Sequence, residues 1–540
     1  MPQFLALSAL TFVSILMQYD ADSAILCRAI FPAIFCWLFI SAISLIKAVN
    51  LTEGIFEWLK IFLNMAFFYA ATRVIGRDKN GILILTRAVI ISGMIHAVIG
   101  IMQYYDLAFT FIPGNFKIYG TMANKNLFAS AVFLMTPFAL YGILQFSGAW
   151  RWISITSASL LFFVIVISKT RAVWAAVVLS AIATSFFAAY KKISLEFPYS
   201  RKITIIAIAG GAILISAAWL GSASFASSLF SSDSLKERLM LWEKTLRMIQ
   251  ADTILGVGLG QWKILLPSYG KIEKRVPAKN SEIFGEVLFQ RPHNDYLWVL
   301  SETGIPGFIC YISFFPILFF YLIQIALKSS YADHRRFSVS MFFGLIGYMV
   351  IAFFCFPKER TAHNIFLMLI AAGIVSIYHR LFPIHKYVRQ SVRLMLHAIL
   401  LILLMICMIF GYERLNAEIH IRKALAARKS HQWEKVISEI DKADLRFYPM
   451  DPASTPLPWY RGIADFSLGN TAEALEDFKK AYRIHPYHIH VLNNLGTCHA
   501  LSGDYETARK YYKKAIAISP GFREAADNLK AVSLKPDFQD

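Results

Sequence analysis

Apolar stretches long enough to cross a bilayer recur along the first three quarters of this chain. A helix needs about 20 mostly apolar residues to traverse the hydrocarbon. Such stretches lie at 4–18, 24–46, 54–74, 82–104, 126–146, 152–168, 172–190, 203–221, 304–327, 337–356, 363–380 and 394–412. The pattern predicts about 11–12 spans, the first of them short. In lipid every backbone polar group must be satisfied within its own segment, so the spans are expected to be helices packed as a polytopic transmembrane bundle. The fold class expected is all-α. Between spans, the connection 222–303 is far the longest and too long to be idle. It is polar, aromatic and mixed in charge, with a helix expected around Ser234–Gln250.

After residue 412 the pattern turns amphipathic and repeats. Trp459-Tyr-Arg-Gly462 and Asn493-Asn-Leu-Gly496 place glycines 34 residues apart. Gly469 and Gly503, Ala481 and Ala515, and Pro486 and Pro520 keep the same offset. A 34-residue period with small residues at these places resembles tetratricopeptide repeats, in which each unit is a helix–turn–helix. Small residues mark close helix contacts and the proline ends the second helix. An imperfect unit is expected over 415–449, an insertion through Asp451–Pro458, and a capping helix over 521–534. Two domains follow: 1–412 in the membrane, carrying 222–303 as a large loop domain, and 413–540 as a helical solenoid.

Composition and charge sharpen this picture. Apolar residues make up 57% of the 540 and charged residues 16%, against about 45–50% and about 25% in soluble domains. Mean hydropathy is +0.51. A purely soluble enzyme, a disordered chain and an ordinary nucleic-acid binder are excluded. The net charge of +19 sits almost wholly in the first 412 residues, which hold about 35 Lys and Arg against about 18 Asp and Glu. Those cations cluster in alternate connections: Arg73 to Lys79, Arg151, Lys191 to Lys202, Lys328 to Arg336, and His379 to Arg393. The positive-inside trend makes all five cytoplasmic. Connections 105–125, 169–171, 222–303, 357–362 and the tail then face outward. The N-terminus faces outward if 4–18 spans and inward if it does not. It lacks the basic stretch of a cleaved signal peptide, having no Lys or Arg before Arg28. The six cysteines show no C-x-x-C spacing, which leaves zinc and dithiol chemistry unsupported. They read as small buried hydrophobes.

The outward side carries a short list of candidate groups. Gly120-Thr-Met-Ala-Asn124-Lys-Asn126 enters a span, where Asn126 either caps the helix or hydrogen-bonds a sugar or phosphate. Ser168-Lys169-Thr170-Arg171 joins two spans, and its cations oppose the positive-inside trend. They are either lipid-phosphate anchors or functional. Lys236-Glu-Arg238-Leu-Met-Leu-Trp242 puts Arg238 and Trp242 on one helical face. Arg stacked on Trp is the plain alternative there. The glycines of Gly256-Val-Gly-Leu-Gly260 lack the strand–turn–helix of a dinucleotide motif and suit a compact turn. Arg291-Pro-His293-Asn294-Asp295 opens the helix that returns to the membrane, and Glu302-Thr-Gly304 follows. A histidine there suits a general base. No His, Cys, Asp or Glu set has metal-ligand spacing. Two arginines can hold a pyrophosphate and stabilise its leaving charge. No ATP is expected outside the membrane, so a donor must arrive already activated.

These motifs, in this order over about 100–380, resemble the O-antigen ligase/polymerase superfamily of bacterial membrane glycosyltransferases. The resemblance implies transfer of glycan from undecaprenyl pyrophosphate to an acceptor hydroxyl on the periplasmic face of the inner membrane, without metal, nucleotide or other cofactor. The acceptor would be lipid A-core, a glycan or a protein. By motif, Arg171 and Arg238 would engage the pyrophosphate and His293 would be the base. Lys169, Trp242, Asn294 and Asn126 would contact substrate or support the site. One departure is the family's Ser-Arg pair, expanded here to Ser-Lys-Thr-Arg, which gives Lys169 a possible share in the role of Arg171. The ligase-type label fits the motif set best, with a polymerase or a protein glycosyltransferase as alternatives within the superfamily. A transporter or flippase would instead need charges at the bilayer midplane and inverted repeats. An envelope-assembly scaffold docking a protein partner through its repeats would tolerate loss of the candidate residues but not of the tail.

Overall fold

The computed structural model describes residues 1–18, 24–114, 116–190, 193, 233–270, 289–384 and 388–535. The expected span at 203–221, the cations Lys191 to Lys202, and His385 with Lys386 lie outside these residues. Among them no strand occurs, and one isolated bridge joins Met450 to Pro456. The membrane-side helices are α1 (Pro2–Leu16), α2 (Ile30–Ser44), α3 (Leu51–Arg77), α4 (Gly81–Tyr104), α5 (Lys125–Gln145), α6 (Gly148–Ile167) and α7 (Arg171–Tyr190). They continue as α8 (Asp233–Ala251), α9 (Asp295–Lys328), α10 (Ala332–Phe354), α11 (Thr361–Leu381) and α12 (Gln390–Lys429). All but α1 and α8 are long and apolar enough to cross a membrane, making ten among the described residues.

The helices stop where their sequences say they must. Asn50 caps α3 by accepting from Glu53 N at 3.1 Å. Buried hydroxyls inside the bundle return their hydrogen bonds to the preceding turn, as Thr72 does to Phe68 O at 2.7 Å and Thr86 to Ile82 O at 2.7 Å. Such internal satisfaction is what an apolar surrounding demands. Close helix approaches use glycine: a Cβ at Gly347 on α10 would stand 2.0 Å from the Phe133 ring on α5.

The described basic connections gather at one end of the bundle. Arg380 donates to Ile75 O at 2.9 Å and Asp78 O at 2.8 Å, Arg28 to His379 Nδ1 at 3.2 Å, and Arg336 to Gln145 Oε1 at 3.4 Å. The short α1 runs alongside α12. Its N-terminal amine lies 3.7 Å from Glu418, while the Gln18 carbonyl at its far end accepts from Arg73. The N-terminus therefore sits at the end opposite the basic connections. Not all cysteines are buried: Cys355, Cys407 and Cys498 are, but Cys27 and Cys36 lie exposed on the outer face of the bundle. An apolar exterior accepts a thiol as readily as a core does.

Helix α12 has 40 residues. At about 1.5 Å per residue it is some 60 Å long, about twice the hydrocarbon thickness. Its second half leaves the bundle and becomes the first helix of the repeats, so residue 412 lies within a continuous helix. The tail continues as α13 (Trp433–Asp441), α14 (Leu457–Ser467), α15 (Thr471–Ile484), α16 (Ile489–Leu501), α17 (Tyr505–Ile518) and α18 (Arg523–Ser533). The 34-residue landmarks are paired-helix contacts. A Cβ at Gly462 would stand 2.7 Å from Phe478, and one at Gly496 would stand 2.6 Å from Tyr512. Pro486 and Pro520 follow the ends of α15 and α17. The insertion at 451–458 is a turn built on Asp451, which accepts from Ala453 N, Thr455 N and Tyr460 Oη at 2.7–2.9 Å. That turn meets the membrane-side chain. Gln290 donates to Ala453 O at 2.8 Å and accepts from Ser454 Oγ at 2.5 Å.

Candidate functional site

The site is built at the end of the bundle away from the basic connections, around a break in α9. Gly304 has φ 65° and ψ −173°, which interrupts the helix. Two residues later Pro306 has no N–H, so the Glu302 carbonyl has no helical donor. The glycine loop supplies the missing partners. Val257 N donates to Ser301 O at 2.9 Å, Gly258 N to Glu302 O at 3.1 Å, and Ile305 N to Thr253 O at 2.9 Å. Gly256, Gly258 and Gly260 all have positive φ, a conformation that glycine alone adopts freely. The loop is thus a compact turn pressed into the helix break. The Trp262 amide then donates to Glu302 Oε1 at 3.1 Å, and its indole to Thr245 Oγ1 of α8 at 3.0 Å. This chain of contacts fixes α8, which carries Arg238 and Trp242.

His293 stands between two anchored neighbours. Before it, the Pro292 carbonyl accepts from the Trp242 indole at 2.8 Å. After it, Asn294 is buried and caps α9 by accepting from Leu297 N at 3.0 Å. His293 itself has φ +56°, uncommon for a non-glycine residue. Its imidazole packs edge-on against Phe356 at 5.1 Å between ring centres. Burial, then the charges of Arg238 and Arg291, push its pKa down to about 4, with Glu359 opposing. The imidazole is therefore neutral at pH 7. Trp242 meets Phe353 edge-on at 5.5 Å.

Arg291 and Glu359 complete this cluster. The guanidinium donates twice to the carboxylate, once at 2.7 Å, and lies 4.9 Å from the centre of the Phe356 ring. Burial alone would raise the Glu359 carboxyl, but the Arg291 charge and hydrogen bonds carry it down to about 2. Arg291 stood in the sequence only as the start of the motif around His293, with no role assigned, and Glu359 was not a candidate. A readable signal existed: Lys358-Glu359-Arg360 is a charged triplet in a short connection between two apolar spans.

The second group lies where α5 and α7 begin. Asn124, not Asn126, is the cap of α5. Its backbone is extended and its Oδ1 accepts from Asn126 N at 2.8 Å and Leu127 N at 3.4 Å. Asn126 is left to accept from Thr170 Oγ1 at 3.2 Å, tying α5 to the 168–171 turn. Lys169 is exposed in a left-handed conformation, φ +50°, and Arg171 is exposed at the first position of α7. Both charges act on Lys125. The link between the two groups is apolar. Leu127, beside Asn126, packs in one layer with Leu241, beside Trp242, and with Phe356, on which His293 rests. Among the described residues no three His, Cys, Asp or Glu side chains come together to hold a metal.

Six of the seven sequence candidates fall in one stretch that known proteins share. Residues 156–312 match the O-antigen ligase family. That stretch holds Lys169, Arg171, Arg238, Trp242, His293 and Asn294, and runs through the glycine loop and the break at Gly304. Residues 456–520 match the tetratricopeptide repeat family. Among solved structures, the chain is similar to the first TPR of Spaghetti (RPAP3) bound to an HSP90 peptide. That similarity has 23% identity and a TM-score of 0.20, covering 22% of this chain and 90% of that one. The ligase-family match together with the apolar helices makes this a multi-pass membrane protein with a repeat tail.

Proposed function

We propose that this ligase-family protein transfers glycan from a polyprenyl pyrophosphate carrier to an acceptor hydroxyl. The reading puts it in the bacterial inner membrane, with the His293 end of the bundle and the repeats on the periplasmic side. It takes 1–412 as the catalytic membrane domain and 413–540 as the repeat domain. The observation that carries it is a histidine packed on Phe356, beside the Trp242–Pro292 bond and under the charges of Arg238 and Arg291, in a stretch matching the O-antigen ligase family.

Arg238 binds the donor pyrophosphate, with Arg171 and Lys169 contributing from the second group. The acceptor O–H gives its proton to the neutral His293 ring nitrogen as its oxygen attacks the sugar C1. A new C1–O bond forms, the C1–O bond to pyrophosphate breaks, and the electron pair leaves on the pyrophosphate. The arginines stabilise that charge more than they stabilise the bound donor. A base with a pKa near 4 is weak at pH 7. Arrival of an anionic pyrophosphate offsets the two arginines, so the histidine gains basicity as the donor binds. Trp242 and Asn294 hold His293 in place, and Asn126 positions the 168–171 turn. The acceptor is lipid A-core, another glycan or a protein hydroxyl.

The test is transfer in proteoliposomes supplied with polyprenyl-pyrophosphate-linked glycan and membrane acceptors from the same source. Arg238→Ala and His293→Ala should abolish transfer while the protein stays in the membrane at its normal level. Full activity in either variant refutes the assignment.

A further inference from the structure

Between the membrane bundle and the repeat unit lies a cavity of about 520 Å³. That volume is within the ~300–1,000 Å³ of small-molecule sites. Its walls come from α1 and α3, from Gln290 and Arg291, from Glu359 and Arg360, from α12 at Arg414, and from the repeat turn at Asp451 and Pro452. The bonds from Gln290 to Ala453 and Ser454 fix that last wall to the segment leading into His293.

The lining is charged, yet its charges balance: six cationic groups, the N-terminal amine and Arg360 among them, stand with six carboxylates, Glu302 and Asp451 among them. Glu57 pairs with Lys60 at 2.6 Å and Glu53 with Lys263 at 2.8 Å, while Arg414 also binds Glu53. Arg291 pairs with Glu359, and the N-terminal amine with Glu418. Such a wall gives no net pull on a polyanion and repels an apolar ligand through desolvation. It suits a neutral molecule dense in hydroxyls, because each hydroxyl donates and accepts and can bridge an ion pair without opening it. Arg291 belongs to both the cavity wall and the Phe356 ring on which His293 packs. Arg291 and Phe356 thus connect the cavity wall to the histidine through two successive contacts.

We infer that this cavity binds a neutral saccharide chain and that the repeat unit forms one of its walls, beyond any docking role. The inference rests on the glycan-transfer reading of the His293 site. The saccharide is either the acceptor or the carrier-linked donor chain, which share this chemistry.

The test places the photocrosslinker benzoylphenylalanine at Pro452, exposed on the repeat wall, in the full-length protein in its own membranes. After illumination, periodate–hydrazide labelling and mass analysis identify the adduct. A sugar-bearing adduct is expected, reduced at least tenfold when Glu418→Trp or Gln3→Trp fills the cavity from another wall. Persistence when loading of the polyprenyl carrier is blocked assigns the sugar to the acceptor; disappearance assigns it to the donor chain. A peptide adduct alone, no sugar adduct, or a sugar adduct indifferent to both filling variants overturns the inference. Crosslinking needs no catalysis, so an active Arg238→Ala variant refutes the transfer reading independently of this result.

Discussion

Replacing Gly304 by alanine separates backbone strain from steric collision at the helix break. Gly304 and Gly148 both have positive φ, 65° and 55°. A Cβ at Gly148 meets nothing within 4 Å, whereas one at Gly304 stands 2.0 Å from the Ile254 carbonyl oxygen and 2.9 Å from Gly256 N. Those neighbours are backbone and cannot rotate away. Gly148→Ala should cost only left-handed strain, about 1–2 kcal/mol. Gly304→Ala adds loss of the three backbone bonds at Thr253, Val257 and Gly258, at about 0.5–1.5 kcal/mol each. The expected total is about 2.5–6.5 kcal/mol, or a fall of roughly 2–6 °C in apparent melting temperature for a chain of this size. The assay is thermal aggregation of the detergent-purified protein, followed by size-exclusion fluorescence, alongside the transfer assay. Gly304→Ala should also lose activity with every candidate residue intact, because the glycine loop, through Trp262 and Thr245, holds α8, whose Trp242 bonds the Pro292 carbonyl beside His293. Equal behaviour of the two alanine variants would falsify the role given to the loop.

Other expectations follow from single contacts. Arg291→Ala strands the Glu359 carboxylate and should destabilise by about 2–3 kcal/mol, below the value for a fully buried pair because both groups keep some exposure. Adding Glu359→Ala should recover at least half of that in a double-mutant cycle, and no recovery means the pair is not the cause. His485 in the repeats is fully buried, with both ring nitrogens unpartnered, and burial holds its pKa near 3. The unfolded chain then binds the extra proton between about pH 6.5 and pH 3, so stability falls as pH drops through that window. The loss from pH 7 to pH 5 is about 2 kcal/mol. Limited proteolysis of the tail at both pH values should show it, and His485→Phe should blunt it; an unchanged pH response in that variant removes His485 as the source. Gly496→Ala pushes a methyl against Tyr512 and should cost about 1–3 kcal/mol by the same proteolysis, and no loss would remove the close helix contact as the reason for glycine there.

Much of this protein was legible along the chain. Hydropathy runs and the 34-residue landmarks each express a local property, the burial of one helix against its surroundings. Span positions, the α8 helix expected at Ser234–Gln250 and the repeat helices therefore emerge from spacing alone. The charge asymmetry likewise assigned the basic connections to one end, where Arg380, Arg28 and Arg336 indeed bridge them. The order of short motifs, through the family resemblance it carries, made His293, Arg238 and Arg171 the proposed site residues.

What spacing cannot carry is the partner across the fold. Glu359 lies 68 residues from Arg291, and Arg414 lies 361 residues from Glu53. Only packing of the helices decides which opposite charges meet, since a charge selects its partner by distance and shielding, not by sequence position. The cap of α5 fell to Asn124 over Asn126 for a similar reason: the extended backbone at 124 aims its side chain at the free amides. The depth of α1 was undecided at 15 residues until its two ends found Glu418 and Arg73. The joint cavity belongs wholly to tertiary structure, because it exists only where a continuous α12 swings the repeats back over Gln290.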